Sequence, residues 1–91
     1  MNMKNNDAIP AVEIEPVFYL DVHLPKPLSV KQVATLRLIG PGLAALSPAM
    51  LLLEWRQLDR IRLGPYYRKY TVEKAKVDLQ VAGIYSDIHA E

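Results

Sequence analysis

Pro16-Val17-Phe18-Tyr19-Leu20-Asp21-Val22-His23-Leu24 is the stretch that decides the fold. Phe18, Leu20, Val22 and Leu24 fall on one side of a strict period of two, with Val17, Tyr19, Asp21 and His23 on the other. That alternation predicts a strand buried on one face only. Pro25 and Pro27 end it, since neither can donate to a sheet ladder. Near the other end of the chain, Ile84 to about His89 repeats the pattern, setting Ile84, Ser86 and Ile88 against Tyr85, Asp87 and His89.

Helical signals fill the space between these strands. Ser29 reads as an N-cap for a helix from Val30 to about Ile39, which Gly40-Pro41-Gly42 must terminate. Ser47-Pro48 repeats the start signal, because a hydroxyl caps free amides and proline suits the first helical position. The helix that follows runs from Pro48 to about Arg60, with Leu51, Leu52, Trp55 and Leu58 as its core stripe. Ile61 to Leu63 predicts a short strand ended by Gly64-Pro65, and Tyr66 to Tyr70 an extended loop or a continuation of the strand. Thr71 reads as the cap of a third helix, Val72 to Ala82, whose inner stripe is Val72, Ala75, Leu79 and Ala82 and whose left-handed stop is Gly83. The order β-α-α-β-α-β predicts a two-layer α+β domain, its helices packed on one face of a small three-stranded sheet.

Composition bounds what such a domain can do. Ninety-one residues, 51% of them hydrophobic, suit one core and no more. Residues 1–15 read as a mobile N-terminal arm and 16–91 as the single α+β domain. The chain has no cysteine, which excludes a disulfide framework, a thiolate metal site and a cysteine nucleophile together. No apolar stretch approaches the roughly 20 residues of a membrane span, and the polar start shows no secretory h-region, so a cytoplasmic location is expected. The net charge of +1 conceals a partition, for residues 55–76 sum to +5 and residues 77–91 to −3.

Arg62-Leu63-Gly64, leading through a capped helix into Leu79-Gln80-Val81-Ala82-Gly83-Ile84, resembles the closing helix and turn of the bacterial ribosomal stalk protein's C-terminal domain. With the order and spacing of elements from about Val17 to His89, the resemblance extends to the related adaptor of the Clp protease. It implies a non-catalytic binding module. Lys31 and Arg37 stand where stalk domains place basic residues. The lysine-bearing, glycine-rich start of the stalk's second helix is replaced here by Ala44-Ala45-Leu46-Ser47-Pro48-Ala49-Met50, and the adaptor's acidic turn by Leu24-Pro25-Lys26-Pro27.

Three surfaces are candidates for function. The first is the second helix, where Met50 and Leu53 point away from the core stripe. Together with Leu43, Leu46, Val77 and Val81 they offer more apolar surface than three helices on one small sheet can hide. Docking on another protein, or homodimerisation, is therefore expected through Met50, Leu53 and Trp55, with Arg56 and Arg60 steering an acidic partner and Trp55 also serving as a core anchor. A Gly40–Leu46 connection folded back over these side chains is the alternative.

The second is the basic, tyrosine-rich run of Arg60, Arg62, Tyr66, Tyr67, Arg68, Lys69 and Tyr70, in which cations suit phosphates and ring faces suit unpaired bases. Single-stranded nucleic-acid binding is the alternative function. Its counterweight is the nearly neutral whole, with packing of Arg68 or Lys69 on a tyrosine as the plainer explanation.

The third is a repeated pattern, Tyr19-Leu20-Asp21-Val22-His23 and Tyr85-Ser86-Asp87-Ile88-His89, which puts both Tyr, Asp and His sets on the open sheet face. Neighbouring strands would gather Asp21, His23, Asp87 and His89 as candidates for a divalent ion, although a solvated face of cross-strand pairs, or a binding surface for a partner protein, explains them better. Neither a metal nor any other cofactor is expected. Catalysis lacks a basis, since no serine lies in a nucleophile elbow and Gly40-Pro41-Gly42 carries no phosphate-loop lysine. The chain is expected not to be an enzyme.

Overall fold

The alternating stretch forms the central strand, β1 (Phe18–His23), in a computed structural model that describes residues 15–91. The expected arm over residues 1–15 lies, but for Glu15, outside the described residues. After β1 come α1 (Val30–Ile39), a 3-10 turn at Leu43–Ala45, α2 (Pro48–Trp55), β2 (Arg60–Tyr66), α3 (Lys69–Val81) and β3 (Tyr85–Ala90). The domain is α+β with the β-α-α-β-α-β order, and its antiparallel sheet runs β2-β1-β3. β2 and β3 flank β1 and run parallel to each other, so α3 crosses beneath β1 to join them.

Leu20 and Val22 of β1 are fully buried against Val33 and Leu36 of α1, Leu51 and Trp55 of α2, Leu63 and Tyr66 of β2, Val72, Ala75 and Leu79 of α3, and Ile84. All helices thus cover one sheet face, and the other is open. Local chemistry fixes most helix ends. Ser29 caps α1 as expected, and Gln32 completes the box by accepting from the Ser29 amide at 3.0 Å. At the far end of α3, Gly83 takes φ 79°, the Ile84 amide donates to Leu79 and the Gly83 amide to Gln80, which is the Schellman arrangement that stops a helix.

Three boundaries differ from the sequence reading. α2 ends at Trp55 rather than near Arg60, because the Leu24 amide recruits the Asp59 carbonyl and Lys26 Nζ donates to the carbonyls of Arg56 and Leu58 at 3.0 and 2.6 Å. Leu58 therefore falls beyond the helix and outside the core stripe. β2 does not stop at Leu63 but continues through Gly64 and Pro65 to Tyr66, with one extra residue bulged between the Leu20–Leu63 and Phe18–Tyr66 pairs. α3 begins at Lys69, with Arg68 rather than Thr71 in the cap position, because the Arg68 carbonyl already accepts from Val72. Tyr66 is the anchor that forces this early start. Its hydroxyl donates to the Ile39 carbonyl at 2.8 Å, leaving only Tyr67 and Arg68 to turn the chain.

Candidate functional site

The expected excess of apolar surface on α2 is present. Leu51 and Trp55 face the core while Met50 and Leu53, on the opposite side of the helix, are 65% and 59% exposed. Trp55 is 6% exposed and acts as the core anchor, so the outer surface of α2 belongs to Ala49, Met50 and Leu53. From Leu38 to Leu53 the chain carries no charged residue, and most of it is exposed. That run of sixteen uncharged residues is the signal in the sequence that marks the surface most directly.

The lead-in to α2 is held in place. Arg37 donates from Nε to the Leu46 carbonyl at 2.7 Å and from Nη2 to Ala44 at 2.6 Å, so its guanidinium braces the loop. Leu43 folds back onto Gly40, where any Cβ would lie 2.4 Å from the leucine Cδ1. Only this part of the covering alternative is realised, for Leu46 remains exposed and Met50 and Leu53 are not covered. Between the starts of α1 and α2, Val30, Ser47, Pro48, Ala49 and Leu52 line an almost wholly apolar groove of about 420 Å³. Arg56 is exposed at the end of α2 beside the apolar lobe, with the exposed Glu54 next to it, whereas Arg60, expected to steer the same partner, stands on the open sheet face and does not border the lobe.

The basic, tyrosine-rich run does not form one surface. Tyr66 is 4% exposed, and burial pushes its hydroxyl up to about 12, so its ring belongs to the core and presents no face to a base. Arg60 and Arg62 lie on the open sheet face, opposite His23 and Asp21 of β1. Tyr67, Arg68, Lys69 and Tyr70 are exposed at the β2–α3 turn. The cation–π contact is made by Arg62, with its Cζ 5.3 Å from the Tyr19 ring centre.

The two Tyr-x-Asp-x-His strands are neighbours, as their common pattern allowed. β1 and β3 pair antiparallel so that Tyr19 faces His89, Asp21 faces Asp87 and His23 faces Tyr85. Two carboxylates directly opposite would repel, and each is answered locally. The Arg62 guanidinium grips Asp21 with two bonds, 2.8 and 3.3 Å, and holds its carboxyl below the usual value against an opposing desolvation. Asp87 accepts from the Tyr85 hydroxyl at 3.0 Å and lies 3.7 Å from His23 Nε2, whose ring tilts against Tyr85 with centres 4.9 Å apart. His89 and Arg62 both approach Glu91, at 3.5 and 3.6 Å. Among the described residues no three His, Asp or Glu side chains converge as metal ligands, and the candidates Asp21, His23, Asp87 and His89 are distributed among these pairings instead. Beneath the sheet, Ser86 Oγ is buried without a hydrogen-bond partner among the described residues.

Among the described residues no helix is long and apolar enough to cross a membrane. No protein-family model, curated protein or solved structure matches the chain.

Proposed function

We propose that this chain is a non-catalytic protein-interaction module whose docking surface is the outer side of α2 and its lead-in. The observation that carries the reading is the exposure of Met50 and Leu53 within a braced, uncharged lobe. Monomers seldom leave contiguous apolar surface of this kind without a partner. Because Arg56 borders the lobe, the partner is a protein presenting an apolar face with a carboxylate at its edge. The reading also draws on the resemblance of the sequence's element order to the ribosomal stalk domain and Clp adaptor, which implies binding rather than catalysis.

A photoreactive phenylalanine derivative at position 53, expressed in cells, tests the reading. Cross-links to one protein, absent when the probe stands at Lys31 on α1 and lost when Met50→Asp is added, support it. Equal labelling from both positions overturns it.

A further inference from the structure

The two edges of the sheet are not alike. Val17 and Glu91 exchange both backbone bonds, and bonded pairs alternate along an antiparallel ladder, so Tyr19–His89, Asp21–Asp87 and His23–Tyr85 are the bonded pairs between β1 and β3. The amides and carbonyls of Ser86, Ile88 and Ala90 consequently point away from β1, along an edge that no other strand among the described residues pairs with. Sheets usually guard such an edge with proline, a bulge or lysine. The β2 edge has two of these, since Pro65 removes an amide and the bulge twists the strand beside it. Over its whole length, Tyr85–Ala90, β3 has no proline, bulge or lysine, and Asp87 is its one carboxylate.

We propose that a second copy of this chain pairs with the free edge of β3, antiparallel and centred on Ile88, joining two three-stranded sheets into one of six. This rests on the interaction-module reading only in sharing its class, for it uses a different surface and leaves α2 free. The register follows from charge. Centring on Ile88 sets Ile88 against Ile88 and Ser86 against Ala90 as bonded pairs, using every outward amide and carbonyl of the strand. It also places Asp87 opposite His89 and Tyr85 opposite Glu91 of the second copy, as non-bonded pairs whose side chains approach most closely. Centring on Asp87 would oppose two carboxylates, and centring on His89 would set Asp87 against Glu91. Below the sheet, the flank of α3 turned away from α1 bears Lys69, Glu73, Lys76 and Gln80, a mixed-sign row suited to an antiparallel copy of itself.

Sedimentation equilibrium on the full chain tests this, with circular dichroism confirming that each variant folds. The wild type is expected to be a dimer. Ala90→Pro, which removes an outward amide that the monomer does not use, should weaken it at least tenfold. Asp87→Lys and His89→Asp should each weaken it, and the double variant, which restores opposite charges across the two-fold axis, should recover it. Leu53→Asp should leave it unchanged. A wild-type monomer overturns the proposal, and slow amide exchange at Ser86, Ile88 and Ala90 in that monomer would assign the edge to another part of the same chain. A dimer that survives Ala90→Pro and dissociates with Leu53→Asp also overturns it, and moves self-association to α2.

Discussion

Arg62 of β2 binds the carboxylate of Asp21 on β1 with two hydrogen bonds, 2.8 and 3.3 Å long, at the middle of the open sheet face. This pair allows Asp21 to stand directly opposite Asp87 of β3. It also makes Arg62 a structural cation, occupied by Asp21, Glu91 and the Tyr19 ring, rather than one free to meet phosphate.

The Asp21 carboxyl titrates below its ordinary 3.8 because Arg62 donates to it. A lowered folded value means that the stabilisation is fully present above the unfolded value and is lost as pH falls through the folded one. Carboxyl-carbon NMR across acid pH should place Asp21 below the ordinary aspartate value, and Arg62→Gln should return it to the ordinary range. An unchanged titration in the variant contradicts the assignment.

Tyr66 provides the alkaline counterpart. Burial raises its hydroxyl to about 12, so the neutral form is favoured on folding; stability is complete below the unfolded value near 10 and declines as pH rises toward 12. Absorbance titration should show one of the five tyrosines ionising last, and Tyr66→Phe should abolish that late phase. Losing the bond to the Ile39 carbonyl should cost about 1–2 kcal/mol in urea denaturation.

Gly64 has φ 139°, and a Cβ there would lie 2.7 Å from Tyr19 Cδ1 and 3.1 Å from the Phe18 carbonyl oxygen. Gly64→Ala should therefore destabilise by about 1–3 kcal/mol, through backbone strain and displacement of the Tyr19 ring. Gly42→Ala, where φ is 80° but no atom lies within 4 Å, should cost less. Equal losses at the two positions would mean that the ring contact contributes nothing.

Ser86 is 2% exposed and its Oγ has no partner among the described residues. Removing a buried, unpaired hydroxyl relieves its desolvation cost, so Ser86→Ala should raise stability by about 1 kcal/mol. Destabilisation on thermal unfolding would show that the hydroxyl has a partner.

Leu53→Asp should change folding stability by no more than about 0.5 kcal/mol, since the side chain is largely exposed and lies opposite the core stripe of α2. A large drop in the denaturation midpoint would place Leu53 in the packing and remove it from the docking surface.

Local chemistry made the elements legible. The period of two in 16–24, the Ser29 and Ser47 caps, the Gly83 stop and the two-sided wheel of α2 depend on residues a few positions apart, so the order of elements and their inward faces could be read directly from the chain. Pairing register and distant contacts decided the rest. The pattern shared by 19–23 and 85–89 could not say that those strands adjoin, nor that Asp21 would meet Asp87 with Arg62 arriving from the far side. Tyr66 looked like its neighbours Tyr67 and Tyr70 until the bulge at Gly64–Pro65 turned it inward to Ile39. The end of α2 likewise depended on Lys26 and Leu24, some 30 residues away. Such contacts are made across the sheet and between layers, where separation along the chain carries no information about proximity.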